Sequence, residues 1–277
     1  MSDSIRLLPT EQNNPRTVSI DTADTLTALR MIHEEDRRAV EAMTDALPAI
    51  AAMADEIAAR LQNGGRLFYA GAGTSGRVAV LDASELPATY GVDPSLVTAL
   101  VPGGYDTLPD ARLGDEDDRE GARTDLKAQG LCARDAVVGI TASGRTPYAH
   151  EALLFAKEQG AFAGAIVNVP DSVLATAADV TAVIDTGAEA IQGSTRMKAG
   201  TTQKLALNML STAVMIRLGK VYRNKMVEIT AINEKMVVRC EQMLIELTGA
   251  DEETAARVLR ECDYHVKTAL RKLGADI

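Results

Sequence analysis

Three short stretches of this 277-residue chain combine glycine, a hydroxyl side chain and an arginine, a mixture that could hold an anion. The first is Gly71-Ala72-Gly73-Thr74-Ser75-Gly76-Arg77. It follows an apolar run and opens a helical pattern, so it satisfies G-x-G-x-x-G in a strand–turn–helix setting. A dinucleotide fold would then end the next strand on an acidic residue that holds the ribose. That run ends Leu100-Val101-Pro102-Gly103, without a carboxylate, which counts against NAD. The hydroxyls of Thr74 and Ser75 suit instead a sugar or phosphate oxygen at a helix N-terminus. A glycine turn with a serine cap and no ligand would leave the same trace. The second stretch, Ala142-Ser143-Gly144-Arg145-Thr146-Pro147, again joins strand to helix, with Pro147 fit for a first helical turn. The third, Gly193-Ser194-Thr195-Arg196, precedes a long helical pattern. The three could converge on one polyhydroxylated anion. Each arginine taken singly could equally be solvated or paired with a carboxylate.

Acid–base chemistry at such a site needs carboxylates. Glu85 falls near the end of the helix that the first turn opens, in Leu81-Asp82-Ala83-Ser84-Glu85. An acidic run, Asp115-Glu116-Asp117-Asp118, falls where the next crossover begins its helix. Acids there are favoured by the helix dipole whatever their function, so spacing does not choose Glu116 from its neighbours. Two carboxylates facing one sugar could divide the acid and base roles if their surroundings separate the pKa values. His33, His150 and His265 share no spacing. No His-Glu-x-x-His, P-loop or Gly-x-Ser-x-Gly string occurs, so zinc peptidases, nucleoside triphosphatases and α/β-hydrolases lose their usual markers.

The elements that must position these turns show in the hydrophobic pattern. Short apolar runs at 66–70, 96–101, 136–140, 163–167 and 182–184 alternate with helical patterns near 75–86, 109–129, 147–159 and 171–178. This alternation predicts βαβ units, a mostly parallel sheet with helices on both faces. In such a sheet ligands bind beyond the carboxyl ends of the strands, where the strand order switches. Ahead of it, residues 1–20 read as an extended polar arm. Two helices follow, one from Thr22 carrying Leu26, Leu29, Ile32, Val40 and Met43, and one over 48–61 stopped by Gly64-Gly65. After Gly193 a long helix is predicted over 196–218, another over 227–247, and two short ones over 252–262 and 265–273. The chain thus divides into a domain over 1–225 and a helical module over 226–277.

Composition narrows the class. Apolar residues make up 46% and charged residues 25%, which excludes bulk disorder. A formal net charge of −10 advertises no basic face for nucleic acid or anionic lipid. Cys132, Cys240 and Cys262 are odd in number and widely spaced, neither a disulfide frame nor a zinc site. With no apolar run of signal-peptide or membrane-span length, the expectation is a soluble cytoplasmic protein.

Several strings, taken in order, resemble the N-acetylmuramic acid 6-phosphate etherase family. They are Gly64-Gly65-Arg66-Leu67-Phe68-Tyr69-Ala70 running into the first turn, Leu81 to Glu85, Gly139-Ile140-Thr141 running through the second turn to Tyr148, the third turn with Met197-Lys198-Ala199-Gly200-Thr201, and Leu207-Asn208-Met209-Leu210-Ser211-Thr212. Thr10-Glu11, Ile20-Asp21 and residues 32–36 fit as well, so the likeness runs from about residue 10 to 272. The residues before Glu116 and the Asn168-Val169-Pro170 segment depart from the family pattern.

The resemblance implies a SIS (sugar isomerase) fold: α/β, a three-layer αβα sandwich with a parallel sheet, N-terminal helices and a small C-terminal helical, ubiquitin-associated-like module. It implies a homodimer with a phosphosugar substrate, no metal or other cofactor, and no nucleic-acid or membrane partner. The implied reaction removes the C2 proton of the open-chain sugar, expels D-lactate from C3 and adds water across the double bond. By the resemblance Glu85 is the acid assisting lactate departure, and Glu116 the base that also activates water. Phosphosugar contacts fall on Thr74, Ser75, Ser143, Gly144, Thr146, Ser194 and Thr195. A sugar-phosphate sensor like glucokinase regulatory protein would keep the hydroxyl turns without needing both glutamates. A phosphosugar isomerase would shuttle a proton between C1 and C2 with no acid aimed at a C3 ether.

Overall fold

The computed structural model describes residues 7–110, 115–229, 231 and 234–277. Helix α1 (Thr25–Gln62) starts where the Asp24 carboxylate accepts from the Thr27 N–H, and Asn63 follows its end. Its buried positions Ala39, Met43, Ala46, Ile50, Met53, Ile57 and Leu61 recur three or four residues apart, the stripe that a helix turns toward a core. The sequence predicts two helices here, parted near Pro48; the structure has one. Pro48 lies on the exposed side beside Thr44 and Leu47, where water can replace the hydrogen bond that proline cannot donate. Packing of the opposite face carries the helix through.

The chain then alternates: β1 (Leu67–Gly71), α2 (Gly73–Tyr90), β2 (Val97–Leu100), α3 (Arg119–Ala128), β3 (Ala136–Thr141), α4 (Pro147–Glu158), β4 (Phe162–Val167), α5 (Val173–Ala177), β5 (Val180–Val183) and α6 (Lys198–Arg217). The five strands form one sheet in the order β2-β1-β3-β4-β5, with every pairing parallel. The helix predicted over 109–129 begins only at Arg119, capped by the Asp118 carboxylate; a 3-10 turn occupies Tyr105–Thr107, and 111–114 lie outside the described residues.

Alternate strand residues face opposite layers. On one face Phe68, Ala70, Val137, Ala163, Ala165 and Val167 share a core with Leu126 of α3, Tyr148 and Leu153 of α4, and Leu174 of α5. On the other, Gly164 lies so close to α1 that a Cβ there would stand 2.9 Å from the Met53 sulfur. The buried Tyr69 hydroxyl donates to Asp82 of α2 (3.1 Å), whose second oxygen accepts from Asn208 (2.8 Å) and Ser211 (3.1 Å) of α6. The three-layer αβα arrangement implied by the resemblance is therefore present. Residues 7–20 are no loose arm: they hold a 3-10 turn at Pro9–Glu11 and bury Thr10, Asn14 and Thr17.

The chain forms two compact units, Met1–Ser84 with Ser95–Val214, and Glu85–Pro94 with Met215–Ile277. Within the second, a hairpin that the sequence analysis missed joins β6 (Val221–Tyr222) to β7 (Lys225–Met226). Its two-residue turn puts Arg223 at φ +54°, the left-handed backbone that tight hairpins require. The predicted 227–247 helix starts later, as α7 (Glu234–Thr248), and 230, 232 and 233 lie outside the described residues. With α8 (Glu252–Glu261) and α9 (Val266–Lys272) it encloses Ile229, Cys240, Leu244, Val258, Leu259, Val266 and Leu270. Among the described residues no helix is long and apolar enough to cross a membrane.

Candidate active site

The strand order reverses between β1 and β3, so the crevice of this sheet lies at their carboxyl ends, and the first two turns follow those strands. In the first, a Cβ on Gly76 would come within 2.5 Å of the Gly71 carbonyl oxygen, so only glycine lets the chain fold back so tightly. Ser75 is buried, and its hydroxyl donates to the Gln203 side-chain oxygen (2.9 Å). Gln203 in turn donates to Asn168 (3.0 Å), which donates to Thr202 (2.9 Å). Arg77 is committed elsewhere, donating to the carbonyls of Leu108 (2.7 Å) and Thr107 (3.4 Å). Thr74 borders a cavity of about 320 Å³ together with Val78, Arg196, Gly200, Thr201, Lys204 and Leu205. The first turn therefore meets the start of α6 there, beside two cations.

The second turn is braced from behind. Asn168 N–H donates to the Ala142 carbonyl (3.2 Å) and Leu174 N–H to that of Gly144 (3.0 Å). Gly144 has φ +68°, and a Cβ on it would stand 2.1 Å from the Ser172 Cβ. The hydroxyls of Thr141 and Thr146 lie 2.8 Å apart, and Ser143 accepts from the Arg145 N–H (3.2 Å). Ser143, Arg145, Thr146 and Pro147 form one wall of a cavity of about 350 Å³; Leu8, Glu11, Glu116 and Asp117 complete it. The acidic run that sequence left undivided now separates. Asp118 caps α3, Asp115 accepts from the Asp117 N–H (3.0 Å), and Glu116 is pinned beside α4 by the Tyr148 N–H on its carbonyl (3.0 Å).

The third turn is set by charge. The Glu189 carboxylate, fully buried, accepts from the N–H groups of Lys198 (2.8 Å) and Ala199 (3.0 Å) at the start of α6. The Lys198 ammonium donates to Glu35 (2.7 Å), and both side chains are 1% exposed. Arg16 grips both oxygens of the same Glu35. The Arg16 guanidinium, seconded by Lys198, holds the Glu35 carboxyl down at about 2. Burial pushes Glu189 the other way, above its usual value, in spite of its two N–H donors. Ser194 and Thr195 are half-buried and line neither cavity.

Glu85 lies eleven residues beyond Thr74 on the same face of α2, on the order of 16 Å along the axis. It is exposed, and it falls in the segment grouped with the C-terminal helices. Glu116, Ser143 and Thr146 come together on one cavity; Glu85 is not among the residues lining it. The sequence analysis missed Leu8, and it missed Glu35, Glu189 and Lys198 as supports of the third turn; it met Glu11 only through the resemblance. No local periodicity marks these residues, because their partners lie far away in the chain. Among the described residues no group of three or more His, Cys, Asp or Glu is placed to hold a metal ion.

Comparison with known proteins agrees with this architecture. Residues 49–157 match the glucokinase regulatory protein N-terminal SIS domain, and residues 127–213 match the SIS domain. The chain is 47% identical over its full length to N-acetylmuramic acid 6-phosphate etherase 2 of Vibrio parahaemolyticus, covering 92% of that protein. It is 50% identical to N-acetylmuramic acid 6-phosphate etherase of Symbiobacterium thermophilum, over 98% of this chain and 90% of that one. In fold it is similar to a phosphoheptose isomerase from Francisella tularensis, with a TM-score of 0.57 at 19% identity, covering 70% of this chain and all of the other.

Proposed function

The chain belongs to the N-acetylmuramic acid 6-phosphate etherase family, and from that premise we propose how its turns and carboxylates carry out the reaction. The protein is a carbon–oxygen lyase that cleaves the D-lactyl ether of N-acetylmuramic acid 6-phosphate, giving N-acetylglucosamine 6-phosphate and D-lactate. Its likeness to isomerases is one of fold.

In this reading the phosphosugar occupies the crevice beyond β1 and β3. By the resemblance, the residues that meet its phosphate and hydroxyl oxygens are Thr74, Ser75, Ser143, Gly144, Thr146, Ser194 and Thr195, of which Ser143 and Thr146 line the cavity of Glu116 and Thr74 borders the other. The observation that carries the reading is that Ser143 and Thr146 share one cavity with Glu116. Ser75 keeps its lone pairs for a ligand donor while its own proton goes to Gln203.

The chemistry starts from the open-chain sugar, whose C2 proton is acidic because it lies α to the C1 aldehyde. Glu116 takes that proton, the C3–O bond breaks, and Glu85 supplies a proton to the departing lactate oxygen. Glu116 releases the C2 proton to solvent and Glu85 regains one from it. The Glu116 carboxylate then draws a proton from water as its oxygen adds to C3, and delivers that proton to C2. Each positioned proton transfer is worth roughly 10² to 10⁴ in rate. The reaction so written asks for no metal or cofactor.

The test is release of D-lactate from N-acetylmuramic acid 6-phosphate by the purified protein. Glu116→Gln and Glu85→Gln should each slow it by about 10² to 10⁴ while remaining folded. In heavy water the product should carry deuterium at C2. Aldose–ketose interconversion without lactate would sink the assignment.

We also read the protein as a cytoplasmic homodimer, with the sugar chemistry in residues 1–225 and a separate ubiquitin-associated-like module over 226–277. Along one face of α1, Leu26, Leu29, Val40 and Leu47 are exposed, an apolar stripe that a second copy would cover. The three free cysteines suit a reducing compartment. Sedimentation velocity at micromolar concentration should find a dimer, and Val40→Asp should weaken it.

A further inference from the structure

We propose that Glu11 is a substrate-binding residue, its carboxylate accepting a hydrogen bond from a hydroxyl or amide N–H of the aminosugar. The inference rests on the reading above, in which the cavity shared by Glu116, Ser143 and Thr146 takes the phosphosugar. Glu11 lines that cavity with Leu8, although more than a hundred residues of chain separate the two from the rest of its lining.

A strap puts it there. The Gly193 N–H donates to the Thr10 carbonyl (3.3 Å) and the Gln192 amide to the Glu11 carbonyl (2.9 Å). Further along, Asn14 donates to the Ala188 carbonyl (3.3 Å) and Thr17 to that of Ala190 (2.8 Å). Arg16 is tied to the buried Glu35. Residues 10–17 thus run beside 188–193, tied to them at four points and to Glu35 at a fifth, and a side chain carried on so constrained a segment is preorganised. The Glu11 carboxylate leans over the third turn: a Cβ on Gly193, at φ +73°, would stand 3.0 Å from Oε2. It therefore lies between the second turn, through the cavity, and the third.

The chemistry of the group limits what it can recognise. A carboxylate accepts hydrogen bonds and repels anions, so neither the phosphate nor the lactyl carboxylate suits it. Arg145 is the cation lining the same cavity. Glu11 is left with the neutral donors of the sugar. Such an acceptor favours a sugar that presents a donor there over one that does not.

The experiment titrates N-acetylglucosamine 6-phosphate and glucose 6-phosphate into wild type, Glu11→Gln, Glu11→Ala and Gln192→Ala by calorimetry, with lactate release measured alongside. Glu11→Ala should weaken product binding by about ten- to a hundredfold, as expected for a hydrogen bond to a charged group. Glu11→Gln, which keeps one acceptor oxygen, should lose less. If the donor is the acetamido N–H, the preference for the acetamido sugar collapses in Glu11→Ala; if it is a hydroxyl, both sugars weaken equally. Either result supports the proposal. Unchanged affinity in both Glu11 variants overturns it. So does a hundredfold loss of lactate release at unchanged affinity, or a loss in Gln192→Ala as large as in Glu11→Ala. Wild type that binds sugar phosphate through Glu11 but releases no lactate would overturn the etherase mechanism and leave this inference standing. Wild type that binds neither sugar phosphate would overturn both.

Discussion

The corner after β3 and the turn before α6 carry similar residues, yet their supports differ in kind. The corner is held by neutral contacts: Gly144 pressed against Ser172, and backbone hydrogen bonds from Asn168 and Leu174. The turn is held by ions taken out of water: Glu189 on the first N–H groups of α6, Lys198 on Glu35, and Arg16 on Glu35 again. Close packing fixes geometry whatever the pH. A buried ion network fixes it only while each member keeps its charge, and it leaves an expensive orphan if one partner goes. The same glycine–hydroxyl–arginine signature therefore covers two devices with different failure modes.

The largest effect should come from Lys198→Ala. It removes a fully buried ammonium from Glu35, and breaking such a pair typically destabilises by about 3–5 kcal/mol. Urea or thermal unfolding should show a loss of that size; a loss below about 1 kcal/mol would mean that Arg16 alone suffices and the turn is not ion-supported. Next comes pH. Glu35 titrates near 2 in the folded protein against an ordinary value of 4.5. A carboxyl whose folded pKa is depressed contributes stability that is complete above the unfolded value and fades as pH falls toward the folded one. The Glu35 contribution, on the order of 3 kcal/mol, should thus disappear between about pH 4.5 and pH 2. Glu189, raised by burial, runs the opposite way and favours the folded state when protonated. Unfolding free energies measured across that window should fall steeply in wild type and more gently in Glu35→Gln. Equal slopes would place the acid sensitivity elsewhere.

How much of this was readable in advance depends on the range of the interaction concerned. All five strands of the parallel sheet fall on predicted apolar runs to within about two residues, because continuous runs such as Ala136–Thr141 announce strands buried on both faces. The corners were legible for the same local reason, since glycine, hydroxyl and Pro147 sit between strand and helix in the sequence itself. Pro48 misled, because its local penalty was outweighed by packing of the far side of α1. The hairpin at Arg223 was too short for its pattern to register. The ion network escaped altogether: Glu35 and Lys198 are 163 residues apart, and nothing near either one names the other. Nor could residue type reveal that Arg77 serves carbonyls while Arg145 and Arg196 line cavities.

A milder probe asks whether the neutral corner is as tightly packed as described. Gly144→Ala forces a methyl into the space of Ser172 at positive φ, and overpacking plus backbone strain should cost about 2–3 kcal/mol. Gly73→Ala makes a good control. Its φ is +55° but nothing lies within 4 Å, so only the strain remains, about 1 kcal/mol. Equal losses would show that Ser172 yields and that the corner is softer than the ionic turn.

The smallest expected change distinguishes two serines. Ser75→Ala deprives the buried Gln203 oxygen of its donor, and the Gln203–Asn168–Thr202 chain behind it loses its end, so stability should drop by about 1 kcal/mol. Ser143 belongs to the cavity wall, and its one backbone donor, Arg145, is exposed enough to turn to water. Ser143→Ala should leave the melting temperature nearly unchanged while raising KM, because the lost hydroxyl is one that the substrate would use. Ser75→Ala should shift the melting temperature more than it shifts KM. If the two variants exchange these behaviours, Ser75 rather than Ser143 is the hydroxyl on which sugar binding chiefly depends.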